Sequence, residues 1–230
     1  REMGTTHITQ QDGDVHKRSR KLLLPGFGIA AIGRDITTLG DTLSQGLSLL
    51  NNRAQNLHEE LCVIYARALS RTQVKVDLSD QQLRNLTHFE EHFISGLQLS
   101  ADDQLRWHSH PDYVRSKADA FALFDSIAQD RRNGRKEDDT LQSLLDSDKN
   151  ADLAPLQDAE LKNVIYLLLV AGVGNIAVLA ACMLWSLHQR PDWREQLEQE
   201  LASFTPESIQ RGLKQYPKLM ATILETERLF

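Results

Sequence analysis

The stretch 169-LVAGVGNIAVLAACMLW-185 decides how the rest of the chain is read. It sets Gly172, Gly174 and the amide of Asn175 at the most apolar point of the sequence. A glycine costs a helix interior up to about 1 kcal/mol relative to alanine. A side-chain amide in dry surroundings is costly unless it finds a hydrogen-bond partner. Two arrangements account for such residues: a helix that crosses a membrane, or a helix whose backbone something approaches closely. From Asn163 to Leu187, about 25 residues carry no formal charge, and that length spans a bilayer. The flanks are mixed, with Asp158, Glu160 and Lys162 before and His188 and Arg190 after. The other arrangement is a helix buried on all sides within a soluble protein. The remaining segments favour it, because they are amphipathic and need an apolar partner of this kind.

Composition narrows the field. The chain has 230 residues, 41% of them hydrophobic and 25% charged, which allows a sizeable core. A net charge of -6 argues against a general nucleic-acid binder, whose footprint is basic. Cys62 and Cys182 are the only cysteines, and neither lies in a CxxC pair. They signal no zinc site or disulfide framework, and a reducing, cytoplasmic setting is expected. The first residues hold no apolar signal-peptide core. A membrane anchor before residue 1 stays open.

Apolar spacing near 3.6 predicts a mainly α chain. Helices are expected over 12–24, 29–50, 54–70, 79–95, 111–132, 137–146, 158–189, 191–202, 206–214 and 217–229. The segment 72-TQVKVDL-78 alternates like a short strand, and 132–139 and 146–155 read as surface loops. One unit spanning 1–230 is expected. Asp146 to Asp152 imitates the start of a calcium loop, but Ala151 stands where glycine is needed and Gln157 where glutamate is needed. His108 and His110 lack an acidic or cysteine partner and read as surface residues. The run 17-KRSRK-21 reads, by itself, as a solvated basic face.

Three pieces nevertheless fall into one order. They are 13-GDVHKRSRKLLLPGF-27, then 170-VAGVGNIAVLAACMLWSLHQRPDWREQLEQEL-201, then 225-ETERLF-230. Together they resemble the cytochrome P450 family. Gly13, His16, Arg20, Pro25 and Phe27 match its Gly, His/Trp-x-x-x-Arg and Pro-x-Phe positions. Ala171 and Gly172 match the start of its Ala/Gly-Gly-x-Asp/Glu-Thr motif, and Pro191 the proline that ends the helix. Glu225 and Arg228 match its Glu-x-x-Arg. Residues 12–27 are most similar to the branch that includes retinoate-type hydroxylases.

The resemblance implies a partial cytochrome P450 fold: the helical part, without the cysteine-ligand loop. It implies haem b with its iron, an apolar small-molecule substrate, and electrons from NAD(P)H through a redox partner, a ferredoxin or a flavin reductase. Ala171 and Gly172 would form the oxygen groove, where a missing side chain permits close approach. His16 and Arg20, one turn apart, would hold a haem propionate. Glu225 and Arg228 would form a buried pair that supports the fold. Gly174 and Asn175 depart from the family's acid and alcohol, and an amide is not a proton donor at neutral pH. Either water on Asn175 relays protons, or the protein rearranges peroxides and needs no such relay. Neither Cys62 nor Cys182 matches the axial ligand, so the chain alone is expected to form no thiolate-ligated haem and to be inactive. The competing readings are a haem-less remnant of the family and a helical protein anchored by 163–187.

Overall fold

The computed structural model describes residues 7–50, 56–150 and 156–230. Eleven α-helices occur among the described residues: α1 (Gly13–Leu23), α2 (Ile29–Ser48), α3 (Leu57–Gln73), α4 (Asp80–Leu97), α5 (Ala101–His108), α6 (Pro111–Arg132), α7 (Thr140–Asn150), α8 (Asp158–Leu169), α9 (Val173–Gln189), α10 (Pro191–Leu201) and α11 (Pro217–Leu229). Short 3₁₀ turns cover Ile8–Gln10, Leu24–Phe27, Pro206–Arg211 and Leu213–Gln215.

The helix boundaries follow local chemistry. Ser79 caps α4: its hydroxyl accepts from Gln82 N–H, and the Gln82 side chain accepts from Ser79 N–H. Pro111, Pro191 and Pro217 each open a helix, where the missing N–H costs nothing. Pro191 also fixes the end of α9.

Helix α3 lies at the centre, against α2, α4, α8 and α9. It therefore buries residues on several sides, Leu61, Cys62, Val63, Ile64 and Ala66 among them. Helices α4 and α6 pack together, and α6 closes on α8. Leu83, Leu86 and Phe89 on α4 meet Phe124 on α6 and Ile165 and Leu169 on α8 in a continuous core. Helices α10 and α11 pack against α9.

The helix expected over 206–214 is two short 3₁₀ pieces separated by Gly212 at φ 89°, and four larger features differ from expectation. The segment 72–78 forms no strand, and no strand occurs among the described residues. Val74 and Leu78 are buried, so the alternation is genuine, but arginines take the place of a partner strand. Arg131 donates to Val74 O at 2.7 Å, Arg135 to Lys75 O at 3.2 Å and Arg67 to Leu78 O at 3.3 Å. Second, the unexpected α5 docks on α4, with the Trp107 indole donating to His92 O at 2.7 Å. A Cβ at Gly96 would collide with Trp107 and His108, so glycine permits this approach. Third, Asp146–Asn150 is the end of α7 rather than loop; the rest of that polar stretch, 151–155, lies outside the described residues. Fourth, 158–189 is not one helix. It is long and apolar enough to cross a membrane by length and composition, yet it is divided between α8 and α9.

Candidate functional site

The division of α8 from α9 builds the site. At the end of α8 the N–H groups of Val170 and Ala171 both reach Tyr166 O, at 2.9 and 3.3 Å. The Ala171 bond spans five residues instead of four, which widens the turn. Gly172 then takes φ 104°, a left-handed conformation that L side chains resist. The regular ladder resumes when Ile176 N–H reaches Gly172 O at 3.0 Å. Between the two helices, backbone N–H groups are left without intrahelical acceptors.

A carboxylate from another helix meets them. Glu90 of α4 accepts from Gly172 N–H at 3.3 Å, and the Gly174 N–H also supports it. Glu90 is only 7% exposed, and among the described residues it has no ion-pair partner. Burial pushes its carboxyl up to about 7, and the two backbone N–H groups oppose that rise.

The break opens onto a cleft of about 1120 Å³. Ala171, Gly172 and Asn175 all line it, together with Glu90, Tyr166 and His7. A Cβ on Gly172 or Gly174 would meet nothing within 4 Å, so the backbone there faces open space. His7 is buried, its Nδ1 faces the Thr9 backbone N–H and hydroxyl, and its Nε2 has no hydrogen-bond partner among the described residues. Its ring meets Tyr166 edge-on at 5.6 Å. An unsatisfied buried polar atom and a bare glycine backbone on one cleft fit a sizeable ligand that carries both apolar surface and polar edges.

The other expected residues stand elsewhere. His16 is half-buried and Arg20 exposed on α1. They share that helix and do not line the cleft, and neither makes a side-chain hydrogen bond among the described residues. The fixed arginine of α1 is Arg18, which bonds Glu160 at 2.9 Å and ties α1 to the start of α8. Glu225 and Arg228 form a two-pronged pair at 2.6 and 2.8 Å on α11. The expectation of burial is not met: the side chains are 56% and 66% exposed, because no described element covers that face of α11.

No described group of three acidic, histidine or cysteine side chains is arranged to hold a metal ion. Burial and then Glu90 push the Cys62 thiol up to about 12, so it stays protonated. Cys182 sits half-buried along α9. Neither cysteine is presented as an axial ligand.

Of the residues expected from sequence, Ala171, Gly172 and Asn175 line this cleft; Glu90 and His7, which line it too, were not expected. Glu90 follows the buried Phe89 in an apolar stripe with Leu83 and Leu86, which is a signal of burial. Glu91 beside it makes the pair look like surface.

A model of the family described as cytochrome P450 matches residues 85–230. The chain belongs to the cytochrome P450 family. Its fold is that of solved members. A retinoic acid-bound cyanobacterial CYP120A1 superimposes with a TM-score of 0.79 at 22% identity, over 99% of this chain and 52% of that one. A second cytochrome P450, CYP102L1, gives 0.75 at 20% identity, over 100% of this chain and 57% of that one. The chain therefore spans a little over half the length of either structure. No curated protein matches it.

Glycines 172 and 174 should respond oppositely to alanine. At Gly172 the backbone angle is the obstacle, and Gly172→Ala is expected to cost about 1–2 kcal/mol. Gly174 has no positive φ and open space at its Cβ. Gly174→Ala should be neutral or stabilising by up to about 1 kcal/mol. Thermal unfolding of the two variants side by side checks the contrast; equal effects would refute the backbone argument.

Proposed function

We propose that the chain supplies the oxygen-side and substrate-side half of a haem-thiolate monooxygenase. The observation that carries this is the broken helix, with small Ala171 and the bare backbone of Gly172 facing a cleft of about 1120 Å³. Haem b, when bound, would supply the redox chemistry, with electrons reaching it from NAD(P)H through a ferredoxin or a flavin reductase. His16 and Arg20, which stand outside the cleft lining, would hold a propionate that extends beyond it; their free side chains, one turn apart on α1, support that role. Ala171 and Gly172 leave room above the flat group. Asn175, exposed on the cleft wall, would orient water through its amide. The substrate is an apolar small molecule held near Phe93, Ile94 and Leu97 of α4, which line the same cleft. Retinoic acid, the ligand of the cyanobacterial CYP120A1, is a suitable first probe. A cytoplasmic location is part of the proposal.

The test is the absorption spectrum of the natural gene product, reduced and exposed to carbon monoxide. A strongly red-shifted main haem band is expected, the signature of thiolate ligation. A folded product without haem would overturn the assignment and leave a scaffold with another use.

A further inference from the structure

We infer that Glu90 is the proton-holding acid of the cleft, reaching from α4 the position beside the helix break where Gly174 carries no side chain. This rests on the monooxygenase reading above. Three observations carry it. Glu90 lines the cleft at the break, next to Gly172, Gly174 and Asn175. Among the described residues it is buried without a paired cation, which would be a poor solution for a group whose only duty was to be charged. The chain offers no other acid at the break itself: the helix positions there are Ala171, Gly172, Val173, Gly174 and Asn175.

The surroundings keep the carboxyl ready to gain and lose a proton. Burial favours the neutral acid, and the Gly172 and Gly174 N–H groups favour the carboxylate, so neither form dominates at neutral pH. From α3, Cys62 and Glu59 face the cleft, and from α8, Tyr166 feels the Glu90 charge. The thiol and phenol stay neutral, since burial raises both. His88 and Glu91 share α4 and the cleft wall, and burial keeps His7 biased to its neutral form. On donation the Oε–H bond breaks and the proton passes toward the break; cleft water returns one. No electron moves through Glu90: dioxygen is the oxidant and the electrons come from NAD(P)H through the redox partner.

The simpler role for Glu90 is to cap α9, and Glu90→Gln separates the two. Glutamine still accepts from Gly172 N–H through its amide oxygen, yet holds no acidic proton. Isotope-edited infrared spectra of the natural gene product, labelled in glutamate carboxyls, need no variant. With or without haem, a protonated carboxyl band titrating near pH 7 is expected, and Glu90→Gln should remove it. The second readout is oxygen consumption by the photochemically reduced protein. It should fall as pH rises through about 7 in the parent, and in Glu90→Gln it should be lower by about 10²-fold and flat with pH. Gly174→Asp, which the open space at that Cβ admits, should restore the pH-dependent rate in the Glu90→Gln background. Absence of a protonated band above pH 6, or an unchanged pH profile in Glu90→Gln, would overturn the inference and leave Glu90 as a cap. The carbon monoxide spectrum reads the monooxygenase assignment separately, so a thiolate-haem protein that fails these tests keeps its assignment and loses only this role of Glu90.

Discussion

Arg131→Ala is expected to destabilise the protein by about 3–5 kcal/mol. Arg131 on α6 is 1% exposed at its side chain and its partner Asp139 is 0% exposed. The guanidinium spans Asp139 and the Val74 carbonyl, so it joins the extended segment 74–78 to the start of α7. Asp139 in turn accepts from Gln142 N–H at 2.7 Å. Removing the arginine strands a buried carboxylate and a buried carbonyl at once. For a chain of this size the unfolding midpoint should drop by roughly 10 °C. Arg228→Ala provides the control, since the exposed pair with Glu225 should leave the midpoint unchanged. Similar losses from both variants would show that burial does not govern the worth of these pairs.

Phe89→Ala should cost a comparable amount, about 3–5 kcal/mol. Phe89 is 0% exposed and sits among Tyr113, Phe121 and Tyr166, with ring centroids 6.0, 6.1 and 6.1 Å away. These rings join α4, α6 and α8, so truncation opens a cavity where three helices meet and neighbours move little to fill it. Phe89→Leu should lose much less, because it keeps most of the volume. The cavity also adjoins the Glu90 turn. In the parent, burial raises the Glu90 carboxyl to about 7 from its ordinary value of 4.5. That stability component is fully present below the ordinary carboxyl range and is lost as pH rises through about 7. If water enters the cavity, the carboxyl should fall back and the pH dependence of unfolding should flatten. Denaturant unfolding between pH 4 and 8 measures both effects. A Phe89→Ala protein as stable as Phe89→Leu would sink the packing argument.

Much of the fold was legible in the sequence because helices announce themselves locally. Helices α6 and α11 have the expected bounds, 111–132 and 217–229, set by Pro111 and Pro217. Helix α5 escaped because eight residues with few apolar positions give little periodicity, and its stability comes from Trp107 docking on α4. The segment 72–78 showed a true alternation, but a strand needs a partner, and the carbonyls found arginines 11 to 60 residues away.

The same division holds at the site. The sequence by itself determined the family and most of the helices, and it placed small residues at Ala171 and Gly172, because spacing and residue type are written along one chain. It could not show that 158–189 divides, since glycine permits a left-handed turn without requiring one. Tertiary structure decided that: Glu90, 82 residues from Gly172, accepts the N–H groups freed by the break and is itself driven from water by the packing of α4 on its neighbours. Tertiary structure also decided that Glu225 and Arg228 stand in solvent in this chain. A residue's charge is given by its type, but whether that charge is held in water or in a dry cleft is set by distant parts of the chain.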